Sequence, residues 1–203
     1  MDIDPLELAK EEKDEARDHA KSVLNAMVAV TIALLATFMG VCKVKDDNIV
    51  QAMQQAQAHS VDYWGTEHAK GTEEKVLDAV ATQLELTDTG TNPKVTGAIK
   101  RFRAKQAKET KDKDDWMKKA QDADADYDKL NYRDDQFDLS DTLMAIAISM
   151  LAVTALTGKR WLYWIALVPT LLGILMGIAG LFSLKIHPDA ITNLLSLFQM
   201  LGR

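Results

Sequence analysis

The sequence has little of what most enzymes and metalloproteins require. Its single cysteine, Cys42, excludes an internal disulfide and a thiolate metal cluster. The four histidines are scattered, and no two have the spacing of metal ligands on one helical face. There is also no nucleophile motif, phosphate-binding loop or dinucleotide fingerprint. We therefore expect a protein that is not an enzyme and has no cofactor, metal or small-molecule substrate.

Charge is almost absent from three long apolar runs, residues 22–44, 139–158 and 161–184. The first is uncharged as far as Lys43, the second has Asp141 near its start, and the third has no charged residue. A helix needs about 20 mostly apolar residues to cross a hydrocarbon core of about 30 Å. Three transmembrane helices are predicted. Because no ionisable residue lies deep in any of them, a proton relay, an ion path or histidine-ligated haem is not expected there.

The N-terminal arm, residues 1–21, has eight acidic and four basic residues. A cleaved signal peptide would begin with a basic segment, so the first apolar run is predicted to be a retained anchor. In the short loop 158–160, Lys159 and Arg160 favour the cytoplasmic side. That orientation puts the N-terminus inside and residues 45–138 outside, although Lys43 and Lys45 favour the opposite orientation.

The polar segment 45–138 contains one proline, within the sequence TDTGTNP at 87–93. Gly90 suits a left-handed helix cap, Asn92 an N-cap and Pro93 the first position of a new helix. This cluster is predicted to be the tip of a hairpin. The expected fold is an all-α membrane protein, with three transmembrane helices and a long antiparallel helical hairpin, a coiled coil, between the first and second.

Alternating steps of three and four residues trace a coiled-coil seam along both arms of the hairpin, and facing residue numbers sum to roughly 179. Three facing layers near the polar middle are predicted to be Lys70 with Glu109, Glu67 with Lys113, and Tyr63 with Trp116. Paired charges in a seam fix its register. The alternative is a solvated middle whose ion pairs contribute little. The seam continues in phase into the first apolar run, which predicts one unbroken helix.

The third apolar run carries three glycines, Gly173, Gly177 and Gly180. Small residues on one face let another helix approach closely, although glycine is also simply frequent in membrane helices. Cations and aromatic rings at the start of this run are predicted to anchor it at the interface: Lys159, Arg160, Trp161 and Trp164. Residues 187–203 are predicted to form an amphipathic helix that lies on lipid or on a neighbouring subunit.

Two motifs, DYWGTEHAK at 62–70 and LTGKRWLYW at 156–164, resemble those of a bacterial membrane family known as domain of unknown function 4337. DYWGTEHAK at 62–70 is similar to a tryptophan-led segment of that family, matched here by Trp64, Ala69 and Lys70. LTGKRWLYW at 156–164 is similar to its basic, aromatic loop between the last two spans. Gly65, Thr66 and Glu67 depart from the first motif, and the helix beyond Lys185 is additional. The resemblance implies a multi-pass membrane topology and no known reaction. With the orientation given by Lys159 and Arg160, the expected location is the bacterial inner membrane with the hairpin in the periplasm.

The leading hypothesis is a non-enzymatic membrane scaffold or interaction protein that self-assembles or binds a partner through its hairpin and its glycine-faced third span. The alternative is an accessory structural subunit of a larger energy-converting or transport complex. A third reading is a ligand or ion sensor built on Trp64, Glu67 and His68. Membrane lipids and either copies of the chain or other subunits are the expected partners. Nucleic acid is not an expected partner, because the net charge is −6 and acidic residues interleave the cluster of lysines and arginines at 100–119.

Overall fold

The computed structural model describes residues 5–88 and 92–186, with side chains from residue 12 onward. Within these ranges the chain forms three long helices, α1 (Pro5–Thr87), α2 (Pro93–Thr157) and α3 (Arg160–Phe182), and no strand. The all-α prediction is confirmed. Each helix contains a stretch long and apolar enough to cross a membrane. Gly90 and the predicted helix 187–203 lie outside the described residues.

Helix α1 continues without interruption from the apolar run into the polar sequence VKDDNIVQAM at 44–53. No glycine or proline stands at this point, so nothing in the sequence stops the helix. After Thr87, α2 begins at Pro93, and the Asn92 side chain accepts a hydrogen bond from the Lys94 amide at 3.1 Å. Asn92 and Pro93 thus have the capping and first-turn positions expected from their residue types.

The chain divides into two compact units. The polar unit is Val50–Asn131, and the apolar unit combines residues up to Ile49 with those from Tyr132 onward. The apolar unit extends beyond the predicted ends of the spans at 44 and 139. The reason is that Gln136 and Phe137 are buried in it, and Gln136 Nε2 donates to the backbone carbonyls of Leu184 and Ile186 at 2.9 and 2.8 Å.

The core of the apolar unit is built by all three helices. Its buried side chains are Leu24, Val28 and Leu35 of α1, Met144, Ala147 and Leu151 of α2, and Tyr163 and Ala166 of α3. The Thr31 and Tyr163 hydroxyls make a polar contact across this core, at 3.0 Å. Tight van der Waals packing with occasional hydrogen bonds is the usual basis of helix association in membranes.

Helix α3 is shorter than the predicted span and contains a proline. Pro169 leaves the Ile165 carbonyl without its usual helical donor, which is tolerated more readily in membrane helices than in soluble ones. The helix ends before Ser183, which adopts a left-handed conformation with φ 55°. Within the predicted span 161–184, the helix therefore ends at Phe182.

Candidate functional site

Contacts between α1 and α2 in the polar unit include two of the three predicted layers. The rings of Tyr63 and Trp116 lie 5.5 Å apart, and Lys70 Nζ lies 2.7 Å from Glu109 Oε2. Glu109 is only 4% exposed, and a charged group buried to that extent is costly unless it is paired. The hydrogen bond to Glu109 in turn raises the pKa of Lys70 above its usual value. In both pairs the residue numbers sum to 179, the value expected from the sequence.

The third layer differs from the prediction. Lys113 Nζ contacts Glu74 Oε2 at 2.8 Å, whereas Glu67 lies 2.8 Å from the His68 ring nitrogen Nδ1. The stem of Lys113 passes over Gly71, where an added Cβ would lie 3.5 Å from Lys113 Cδ. The long side chain therefore reaches past the facing position. Hydrogen bonds from Lys113 and then from Thr110 lower the pKa of Glu74.

Further ion pairs continue toward the end of α1. Lys105 Nζ lies 2.7 Å from Glu73 Oε1, and the Arg103 guanidinium contacts Asp78 at 2.5 Å and Glu85 at 2.7 Å. We call the cross-helix pairs the ion-pair ladder: Lys70–Glu109, Glu74–Lys113, Glu73–Lys105, Arg103–Asp78 and Arg103–Glu85.

Trp64 belongs to a hydrogen-bonded group centred on Asp124. Its indole Nε1 donates to Asp124 Oδ2 at 3.0 Å, and the Ser60 hydroxyl donates to Asp124 Oδ1. These two bonds, that of Ser60 first, lower the pKa of Asp124. His68 Nδ1 lies 2.8 Å from the Trp64 carbonyl oxygen. Trp64 thus connects α1 to α2 instead of presenting a free indole to a ligand, as the sensor reading would require.

The glycines of α3 face the other helices of the apolar unit. An added Cβ would lie 2.8 Å from Met144 Cγ at Gly173, 2.6 Å from Phe38 Cε1 at Gly177, and 2.8 Å from Phe137 Cζ at Gly180. Real Cβ atoms do not approach so closely. The glycine face is therefore covered by α1 and α2 of the same chain, which corrects the prediction that it binds a partner.

The predicted interfacial anchors stand at the start of α3. Lys159 is its N-cap and Arg160 its first residue, and both are exposed. Trp161 and Trp164 are 57% and 66% exposed. Tyr163, between them, faces inward and has an edge contact with the Trp164 ring at 6.0 Å. The cations and the two tryptophans are thus positioned on the outside of the apolar unit.

An aspartate pair in the apolar unit was not singled out from the sequence. Asp46 of α1 is 5% exposed, and its Oδ2 accepts a hydrogen bond from Lys43 Nζ at 2.9 Å. The Asp134 carboxyl, on α2, is a neighbour of Asp46 and lies within its hydrogen-bonding reach. Oδ1 of each carboxyl is buried, and no donor group of the described residues reaches it. The seam did contain the signal, because 46 and 134 sum to 180 and so face each other.

The Asp134 carboxyl has a raised pKa. Burial, the hydrogen bond to Asp46 and the charge of Asp46 together raise the pKa of Asp134 to about 6. Partial burial and the Asp46 charge also raise the pKa of Asp138, one turn further along α2. No three His, Cys, Asp or Glu side chains converge as metal ligands within residues 5–88 and 92–186.

Comparison with known proteins gives a family and nothing closer. A family model described as "Domain of unknown function (DUF4337)" matches residues 24–183, which include most of all three apolar stretches and the polar segment between them. No curated protein and no solved structure matches the chain.

Proposed function

The chain belongs to the DUF4337 family, and we propose that it is a non-enzymatic membrane protein whose helical hairpin acts as a scaffold for protein–protein interaction. Three transmembrane helices hold it in the bilayer, and the polar parts of α1 and α2 form an antiparallel coiled coil. The ion-pair ladder is the observation that carries this proposal.

Insertion in a membrane is supported by the outer surface of the apolar unit. All three helices expose large apolar side chains there, among them Leu34, Leu156, Val168 and Leu171. Monomeric soluble proteins rarely expose contiguous apolar patches of more than a few hundred Å². A hydrocarbon environment removes the cost of this exposure. The proposed location is the bacterial inner membrane, with the N-terminus and the 158–160 loop in the cytoplasm and the hairpin in the periplasm.

The coiled coil is supported by the direction of the ladder. Residue numbers rise along α1 as they fall along α2, from Tyr63–Trp116 through Lys70–Glu109 to Arg103 with Asp78. Each ion pair on its own contributes little when exposed. A series of ion pairs in one antiparallel register disfavours other alignments of α1 and α2, because shifting one helix along the other would place like charges together. A rigid, uniquely aligned rod is suited to presenting a surface.

The outer face of α1 is the proposed contact surface. In the described part of the polar unit, the exposed large apolar residues are Val61, Val76 and Leu86, which are 66%, 57% and 83% exposed. At 3.6 residues per turn they fall within an arc of about 80° on the side of α1 opposite Lys70. Apolar residues gathered on one face of a polar helix are typical of helix–partner contacts. The glycine face of α3 is not part of this surface.

Crosslinking of the full-length protein in native membranes tests this proposal, followed by mass measurement of the solubilised particle. We expect a mass above that of the 22.5 kDa chain, from copies of the chain or from a bound partner. The double variant Val61→Gln with Val76→Gln should reduce crosslinking. The matched control Asp115→Asn, an exposed change on α2, should not.

A monomer without crosslinks in native membranes would contradict the scaffold proposal. Co-purification at fixed stoichiometry with a larger energy-converting or transport enzyme, together with loss of that enzyme's stability on deletion, would instead favour the accessory-subunit alternative.

A further inference from the structure

Two carboxyl groups from different helices, those of Asp46 and Asp134, are neighbours in the apolar unit. The Asp46 side chain is 7% exposed, and Lys43 Nζ lies 2.9 Å from its Oδ2. Oδ1 of Asp46 and Oδ1 of Asp134 are both buried, and neither accepts a hydrogen bond from a donor of the described residues. A buried oxygen without a donor costs free energy unless another species satisfies it.

A proton on one of the two carboxyls supplies a donor that the described residues do not. An ionised carboxylate only accepts hydrogen bonds, so two ionised aspartates repel each other. When one carboxyl is protonated, its O–H donates to the other, and the pair has one negative charge in place of two. Lys43 Nζ already donates a hydrogen bond to Oδ2 of Asp46. The shared proton therefore belongs on Asp134.

The charges around Asp134 do not offer a substitute for the proton. Asp46 faces it from α1, and Asp135 and Asp138 add negative charge from α2. The neighbouring Arg133 guanidinium donates to the Gly180 carbonyl of α3 at 2.9 and 3.2 Å. The ionisable residues of segment 160–186 are Arg160 and Tyr163, at the opposite end of α3, and Lys185, in the turn that follows α3.

We propose that Asp46 and Asp134 form a proton-binding carboxyl pair that fastens α1 to α2 when it holds one proton and loosens their packing when that proton leaves. The exchange is with water: the pair releases one proton to solvent and its charge changes from −1 to −2. The packing of α1 against α2 at this end of the apolar unit would then depend on the pH of the surrounding water. This inference does not depend on the scaffold function.

The direction of the pH dependence follows from the carboxyl of Asp134. Its pKa is about 6 in the folded chain, above the value of about 3.9 for an exposed aspartate. Between these values the folded state holds a proton that the unfolded state has released. Stability therefore falls as pH rises from about 4 to about 6 and is level above that range. The pKa of Asp138 is also raised, so this residue likewise makes stability fall as pH rises.

Thermal unfolding of the full-length protein in nanodiscs between pH 4.5 and 8 tests the pair. For the unsubstituted protein we expect a midpoint that falls as the pH rises. Asp134→Asn places a neutral amide donor beside Asp46, so it should remove most of that fall and raise the midpoint at pH 8. The control Asp47→Asn should keep the full fall, because Asp47 is an exposed partner of Lys43. An unchanged fall in Asp134→Asn would overturn the proposal.

Infrared difference spectroscopy gives a second readout that does not require Asp134→Asn to fold. The folded, unsubstituted protein should show the C=O stretching band of a protonated carboxylic acid, with a midpoint near the pKa of about 6. Asp46→Asn removes the neighbouring charge and should move that midpoint to lower pH. A band that disappears near pH 4 in the unsubstituted protein would contradict a shared proton. So would a large rise in thermal midpoint on adding Ca²⁺ at pH 8, which would indicate a cation instead.

Discussion

Single residues set how closely the helices of the apolar unit approach one another. The Ser140 hydroxyl donates to the Gly173 carbonyl at 2.7 Å, a contact that only a small residue at position 173 permits. The spacing of Gly173, Gly177 and Gly180 was sufficient to predict a close helix contact. It could not identify the partner helix, because spacing defines a face of α3 and says nothing about what covers it.

Substitution of Gly177 tests this close packing. Gly177→Ala would place a methyl group 2.6 Å from the Phe38 ring and 2.8 Å from the Ser140 hydroxyl. Overpacking of this kind typically destabilises by about 1–3 kcal/mol. We expect that loss in chemical unfolding of the protein in detergent. Gly40→Ala is the matched control, since nothing lies within 4 Å of its added Cβ; equal effects of the two changes would contradict the packing.

The Asp124 group makes a prediction for the polar unit. Trp64→Phe keeps an aromatic ring but removes the indole donor, so the pKa of Asp124 should rise toward its usual value. A carboxyl with a lowered folded pKa contributes stability above the unfolded pKa and loses it as pH falls through the folded pKa. The variant should therefore lose less stability on acidification below about pH 4. Carboxyl chemical shifts followed by NMR measure the pKa directly. A titration identical to that of the unsubstituted protein would contradict the hydrogen bond.

At the scale of helices, the sequence pattern predicted where α1 and α2 run better than it predicted which side chains pair between them. The unbroken α1 follows from the lack of glycine and proline around residue 44, and the start of α2 follows from Pro93. The pairing of Lys113 with Glu74 could not be predicted in the same way. A step of three or four residues identifies facing Cβ atoms, whereas a lysine side chain spans more than one turn of its neighbour.

Charge reversal tests the register of the two helices. Lys70→Glu and Glu109→Lys should each lower the thermal midpoint, because each places like charges in a contact of 2.7 Å. The double reversal restores opposite charges and should recover most of the loss. Lys111→Glu, on an exposed position of α2, should have a much smaller effect. Two single effects that simply add in the double variant would show that these residues do not interact.

At the scale of the whole molecule, pooled hydropathy was the strongest signal. It predicted three apolar helices correctly, because a membrane-crossing length of apolar residues is hard to produce by chance in a soluble domain. What the sequence pattern failed to predict also has a physical reason. The aspartate pair lay within the predicted seam, yet a seam position alone does not reveal that Asp46 and Asp134 are buried and lack donors.

Orientation in the membrane can be measured by cysteine labelling. In a Cys42→Ser background, cysteines replace Lys159 or Asp115, both exposed. The positive charge of the 158–160 loop predicts that a membrane-impermeant maleimide reaches position 115 in intact spheroplasts but position 159 only after permeabilisation. The reverse pattern would mean that Lys43 and Lys45 determine the topology.

The central claim is that α1 and α2 of one molecule pair along their polar segments in a single register. Spin labels at Asp62→Cys and Asp115→Cys, exposed neighbours of the Tyr63–Trp116 contact, test it most directly in lipid bilayers, again with Cys42→Ser. Labelled protein is diluted with excess unlabelled protein, so that only distances within one molecule persist. We predict one narrow distance distribution near the width of two packed helices, about 20 Å. A much longer distance, or a short one that disappears on dilution, would contradict the hairpin.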